Sequence, residues 1–321
     1  MSERQEEAPI RLGISQCLLG DRVRFDGNHK LDRYITDTLG RHFEFVPVCP
    51  EVAIGLGVPR EPIRLEGDPS SPRAVGVRDG SIDVTSPLLR YGRKMGRELE
   101  GISGYILKSK SPSCGMERVK VYHPGGGGAS SGGVGLFTTG LREKQPLLPM
   151  EEEGRLRDPV LRENFIERVF VFHRWQRLTS KRLTPARLVQ FHADHKLTLM
   201  AHGPEQLRRL GRIVATAGTR PMREVRDAYA AGLMAALQRV ATRKRHTNVL
   251  QHLAGYLKRS LDAEDRRELA ELIEEYRLGR LPLIVPVTLL KHHFRRHPDP
   301  YILRQTYLNP HPKELMLRDA L

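Results

Sequence analysis

The apolar pattern changes its period once along this chain, and that change limits the fold more than any other feature. Between residues 10 and 143, short β-like runs alternate with helix-like ones. The β-like runs are Ile10–Ser15, Phe43–Val48, residues 104–108 and Val119–Tyr122. The helix-like stretches cover residues 32–39 and 86–99, the second with Leu88, Leu89, Met95 and Leu99 as its apolar points. Strands alternating with helices predict a largely parallel sheet covered on both faces. Residues 125–135 are rich in Gly and Ser and read as a loop, or as a place where backbone approaches a ligand.

From residue 158 onward the period is helical. Asp158 is placed to cap a helix that begins at Pro159, with Leu161, Phe165, Val169 and Phe172 on one face. Pro204 and Pro221 open two more, Thr247 is a candidate cap for a fourth, and Asp262 for a fifth. Trp175 and Tyr229 fall on apolar faces and read as core. The expected organisation is a flexible N-terminus at 1–9, an α/β domain with a mainly parallel sheet at 10–143, a Pro- and Glu-containing linker at 144–157, and an all-α domain at 158–321. The opening residues lack the apolar stretch of a secretory signal, and no run of about 18 apolar residues occurs, so a cytoplasmic protein with no membrane span is expected.

Charge separates the same two regions. Residues 1–154 hold 21 basic and 21 acidic side chains; residues 155–321 hold 32 and 17, and 26 of those 32 cations are Arg. Arg suits planar, two-pronged contact with phosphate, so a polyanionic partner is expected for the second region. Candidate contact patches are Arg208, Arg209 and Arg212; Arg243, Lys244 and Arg245; and Lys291, Arg295 and Arg296. Each patch taken alone is equally readable as a solvated helix face.

All three cysteines lie in the neutral region, an odd number that argues against a disulfide framework. Cys17, Cys49 and Cys114 each follow a β-like run, in a turn built with Gly or Pro. Ligands in open α/β sheets bind beyond the carboxyl ends of the strands, so parallel strands would let the three thiols converge. Metal ligation, nucleophilic catalysis and inert burial all remain open on this placement. Thiolates select zinc, Cu(I) or iron–sulfur clusters, and the close C-x-x-C pairs of a structural zinc site are absent. Glu51, two residues after Cys49, is a candidate acid or base. Ser111 and Ser113 precede Cys114 and are candidates for a proton relay.

At these residues the sequence resembles a known family. Cys-Leu-Leu-Gly at 17–20 with Val-Arg-Phe-Asp-Gly at 23–27, Cys-Pro-Glu-Val at 49–52 with Gly-Leu-Gly-Val-Pro-Arg at 55–60, and Leu-Lys-Ser-Lys-Ser-Pro-Ser-Cys-Gly at 107–115 look like the signature blocks of the thiouracil desulfidases. The second region is similar to a helical domain fused to such desulfidases, through Phe-His-Ala-Asp-His-Lys at 191–196, Arg-His-Thr-Asn-Val-Leu-Gln-His at 245–252 and Pro-Leu-Ile-Val-Pro at 282–286. The glycine tract at 125–128 departs from the pattern.

The resemblance implies a 4Fe–4S cluster on Cys17, Cys49 and Cys114 with one iron left open, catalytic roles for Glu51 and for a serine of the 111–114 block (Ser111 ahead of Ser113), and a thiolated uracil as substrate. Fused to a basic helical domain, the expected reaction is non-redox removal of sulfur from 4-thiouridine in tRNA, with tRNA as partner and no obligate protein partner evident. Two rivals stand beside it: desulfidation of free thiouracil or thionucleosides, and a non-catalytic iron–sulfur regulator that binds nucleic acid.

Overall fold

The computed structural model describes residues 9–319; the N-terminal stretch expected to be flexible lies almost wholly outside them. The chain forms two compact units, Met1–Arg157 and Asp158–Leu321.

The first unit is built on two four-stranded sheets. In chain order its elements are β1 (Ile10–Ser15), β2 (Phe43–Val48), α1 (Pro50–Ala53), β3 (Ile63–Asp68), β4 (Ser71–Gly76), α2 (Thr85–Glu98), β5 (Gly104–Leu107), β6 (Val119–Tyr122), β7 (Ala129–Gly133), α3 (Leu136–Lys144) and β8 (Met150–Glu152). One sheet runs β2-β1-β5-β8 and every pairing in it is parallel. The other runs β4-β3-β6-β7 and mixes two antiparallel pairs with one parallel pair. The expectation of a mainly parallel sheet therefore describes the first sheet alone.

The parallel sheet explains the near-continuous apolar runs of its central strands, since both faces are covered. Leu12, Ile14, Tyr105, Ile106 and Leu107 are fully buried. Helices α2 and α3 cross with their backbones almost touching: a Cβ on Gly92 would lie 2.3 Å from the Phe137 carbonyl oxygen, and one on Gly140 would lie 2.4 Å from that of Leu89. Glycine is required at both points because no side chain fits there.

Two sequence readings are corrected. Residues 144–157 do not form a linker, because β8 pairs with β5 and its three residues are buried. Charge misled here: Glu151 is bonded by Arg155 and Glu152 by the Met116 N–H, so both carboxylates are satisfied inside the unit. Residues 129–133 are a strand, and residues 125–128 form the hairpin tip, all four glycines at positive φ. The helix expected at 32–39 is present in irregular form, a π turn at Tyr34–Thr38 that runs directly into a 3-10 turn at Leu39–Arg41.

The described residues of the second unit contain no strand. Its helices are α4 (Pro159–Thr179), α5 (Pro185–Asp194), α6 (Lys196–His202), α7 (Pro204–Ala215), α8 (Met222–Leu237), α9 (Arg243–Leu257), α10 (Ala263–Arg277), α11 (Ile284–Arg296) and α12 (Pro300–Leu303). Asp158 caps α4 by accepting from the Val160 and Leu161 N–H groups, and Asp262 caps α10. Helix α9 is capped by Thr242, not Thr247. Thr247 lies inside that helix and its hydroxyl donates to the Arg243 carbonyl at 2.9 Å. Trp175 packs against Tyr229 and Phe191 with ring centroids 5.3 and 5.4 Å apart, as its apolar face predicts. Among the described residues no helix is long and apolar enough to cross a membrane.

Candidate active site

The carboxyl ends of β1, β2 and β5 open onto one cavity of about 320 Å³. Cys17, Cys49 and Cys114 all line it, with Glu51, Ser111 and Ser113. Cys17 sits in a 3-10 turn directly after β1 that closes at Gly20 with φ 101°. Cys49 follows β2 and stands at the N-cap of α1, where Pro50 takes the first helical position.

Cys114 follows β5 on a tight loop. The Ser111 hydroxyl oxygen accepts from the Ser113 and Cys114 N–H groups at 3.3 and 3.1 Å, and the Thr138 hydroxyl donates to the Cys114 carbonyl at 2.7 Å. Gly135 makes this approach feasible: a Cβ there would lie 2.4 Å from the Ser113 carbonyl oxygen.

Glu51 is held from both sides. Arg60 donates through Nε and a terminal nitrogen to Glu51 Oε2, at 2.9 and 2.8 Å. Ser113 Oγ donates to Glu51 Oε1 at 2.6 Å. Because the Ser113 proton points at Glu51, the 2.9 Å contact between the two serine hydroxyls has Ser111 as donor. A directed chain therefore runs from Ser111 to Ser113 to Glu51. Ser113 Oγ also lies 3.7 Å from Cys114 Sγ. The sequence reading put Ser111 ahead of Ser113; of the two, Ser113 is the one whose hydroxyl contacts both the carboxylate and the thiol, with Ser111 bonded behind it.

Sequence reasoning missed Arg60 as a site residue, along with Lys108, Arg24 and Glu153. Lys108 and Glu153 form an ion pair, and Ser109 donates to Glu153 through its backbone N–H and its hydroxyl, each at 2.7 Å. Burial pushes the Cys17 thiol up to about 11, against the pull of Arg24, and the Cys114 thiol up to about 12. Burial raises Cys49 as well.

Three sulfur donors on one buried cavity fit a soft, positively charged metal group, which deprotonates its thiol ligands outright. Among the described residues no three His, Cys, Asp or Glu side chains are arranged to hold a metal ion. One water occupies about 30 Å³ of liquid, so the cavity has room for a group far larger than one ion.

Of the cations marked in the second unit, Arg208, Arg209, Arg212, Lys244, Arg295 and Arg296 are exposed and Lys291 is half-buried. Two are otherwise engaged: Arg243 donates to the Tyr276 carbonyl at 2.7 Å, and Arg245 to that of His202 at 3.1 Å.

Fold and site together define an α/β protein that gathers three thiols and one clamped carboxylate at the carboxyl edge of a parallel sheet. Residues 12–153 match the sequence model of a family described as 2-thiouracil desulfurase. The chain belongs to that family. Residues 196–312 match a second family, described as a protein of unknown function, DUF1722. The chain is 33% identical over 154 residues to the uncharacterised protein YbgA of Escherichia coli K12, covering 48% of this chain and 91% of that one. It is 32% identical over 109 residues to the uncharacterised protein YbbK of Bacillus subtilis 168, covering 32% of this chain and 71% of that one. Among solved structures it is similar to the [4Fe-4S]-dependent thiouracil desulfidase TudS, at 30% identity and a TM-score of 0.38, over 46% of this chain and 94% of that one.

Proposed function

We propose that this chain removes sulfur from 4-thiouridine in tRNA, releasing uridine and hydrosulfide. One observation carries the reading: three thiols remote in sequence line a single cavity with a carboxylate and a directed pair of serine hydroxyls. A 4Fe–4S cluster on Cys17, Cys49 and Cys114, with one iron lacking a protein ligand, would supply a soft Lewis acid for the thiocarbonyl sulfur.

The protein's own groups handle water and protons. Glu51 takes a proton from water as its oxygen bonds to the thiocarbonyl carbon. Arg60 holds that carboxylate in place through two hydrogen bonds to one of its oxygens. Ser113, between Glu51 and Cys114, returns the proton towards the departing sulfur. The carbon–sulfur bond breaks as the new hydroxyl gives up the second water proton to solvent, so that C=S becomes C=O, sulfur leaves as hydrosulfide, and no net electron transfer is required. The excess of cations in residues 155–321 supports an RNA substrate.

A second reading, desulfidation of free thiouracil or a thionucleoside, is favoured by one fact: every lining residue of the cavity falls between 15 and 114. Comparing rates on thiolated tRNA and on free base separates the two. The central test uses anaerobically reconstituted protein and the loss of thiouridine absorbance. Cys114→Ala is expected to lose bound iron and turnover together, and turnover persisting in that variant would overturn the cluster assignment.

A further inference from the structure

The helical unit holds a cavity of its own, of about 360 Å³. That lies within the range of about 300–1,000 Å³ usual for small-molecule sites. Its walls come from the start of α4, the turn between α8 and α9, the end of α10 and the C-terminal segment, all within residues 159–319. Two sequence blocks to which the desulfurase site gives no role meet here. The block at 245–252 supplies His246 and the block at 282–286 supplies Leu283.

The polar groups of the lining are left as donors. Tyr276 is 5% exposed; its carbonyl accepts from Arg243, but its hydroxyl has no hydrogen-bond partner among the described residues. His246 is 8% exposed, and its Nδ1 shares a bond with the Tyr307 hydroxyl at 2.9 Å. Tyr307 is fully buried and its hydroxyl has no other partner among the described residues, so its proton goes to Nδ1. Burial keeps the His246 ring neutral, so Nε2 carries the ring proton, and that N–H is unbonded among the described residues. Arg243 uses one nitrogen on the Tyr276 carbonyl, lies 5.0 Å from the centre of that ring and forms no ion pair among the described residues. Helix α9 begins at Arg243, so the N–H groups of Arg243 and Lys244 have no acceptor within the helix. The acidic groups of the lining compete weakly. Glu163 takes a bond from Arg318 Nε at 3.1 Å, and Arg318 is anchored on the Tyr307 carbonyl at 2.8 Å. Asp319 is exposed, where solvent screens it.

We propose that this cavity is a second ligand site, which takes a small phosphate monoester: the phosphate binds at the first turn of α9 with Arg243, His246 and Tyr276, and an apolar body packs against Leu283 and Leu317. The N-terminus of a helix favours such an anion, and a guanidinium matches its oxygens in pairs. A carboxylate offers two oxygens and a monoester phosphate three, which suits a lining with an arginine, a ring N–H, a free hydroxyl and two backbone N–H groups. The inference stands independently of the desulfidase reading.

The test is calorimetric titration of the full chain with phenyl phosphate, a monoester with an apolar body, beside phenol and phenylacetate. One phenyl phosphate per chain is expected to bind, with phenol and phenylacetate weaker by about tenfold or more. Tyr276→Phe removes a hydroxyl that the protein itself does not bond, so Tm without ligand stays unchanged while phenyl phosphate binds about tenfold more weakly. Arg243→Lys keeps the charge but loses the planar fork, and it also weakens binding. Lys258→Gln alters an exposed cation outside the cavity and leaves the affinity as in the unaltered protein. No saturable binding of phenyl phosphate, equal binding of phenylacetate, or an affinity untouched by Tyr276→Phe overturns the inference. Displacement of phenyl phosphate by phosphatase-treated tRNA also overturns it, because backbone diesters would then be the occupant.

Discussion

Glu51 accepts bonds on both oxygens from partners of different character, a cation on one and a neutral hydroxyl on the other. Its side chain is 14% exposed and that of Arg60 is 5% exposed. Removing one member of such a pair leaves a poorly solvated charge, so Arg60→Met is expected to destabilise the first unit by about 3 kcal/mol. The two serines differ in what their loss should do. Ser113→Ala breaks the link to Glu51 and is expected to lower kcat by about 100-fold or more at unchanged iron content. Ser111→Ala removes the acceptor of two backbone N–H groups on the loop that carries Cys114, so it should show first as lost iron. Equal losses of kcat at equal iron in both variants would contradict this division. Sequence marked the thiols, Glu51 and both serines because each sits in a turn after a β-like run. Arg60 carried no such mark: nothing between Gly55 and Pro59 shows that the chain doubles back to place a guanidinium on Glu51.

At the scale of elements, the strands that were legible are those with apolar residues in sequence, β1, β2, β5 and β6. Strand β8 was hidden by carboxylates that are buried yet fully bonded, and β7 by a Ser/Gly composition that lacks branched or aromatic residues. Close approach places a further demand on α3. Gly135→Ala would drive a methyl group into the backbone of the Ser113 loop and is expected to cut iron content and activity together, read by iron analysis alongside rate. Helix α7 presents Arg208, Arg209 and Arg212 to solvent. Replacing all three with Gln should weaken tRNA binding and flatten its dependence on log salt by about one unit per lost phosphate contact. Arg243→Gln should instead lower thermal stability, because that side chain bonds the Tyr276 carbonyl and lies 5.0 Å from the centre of its ring.

For the whole molecule, the two units carry different sensitivities to acid. Burial lowers His195 and His311 to about 4 and His246 to about 3, all in the second unit. These rings stay neutral when folded and take up protons near pH 6.5 when unfolded. The unfolded chain therefore binds more protons below pH 6.5, and stability falls as pH drops from there towards 4. Each such ring is expected to cost on the order of 1–2 kcal/mol by pH 5. Burial alone would raise Glu167, but the bond from His202 brings it to about 2, so its contribution fades only at more acid pH. Trp175, the one tryptophan of the chain, is buried in this unit and reports its unfolding by fluorescence. A urea midpoint that stays constant from pH 7 to pH 5 would exclude the effect.

Cys17, Cys49 and Cys114 come from the ends of three different strands, and no two share a turn. A metal group seated on them rests on a tripod whose legs are anchored separately in the sheet. Any one leg can lengthen, shorten or change its neighbours while the other two keep their footing. The rim of such a crevice is free to be retuned piece by piece towards new thiolated compounds, a freedom denied to a site whose ligands all crowd into one short loop.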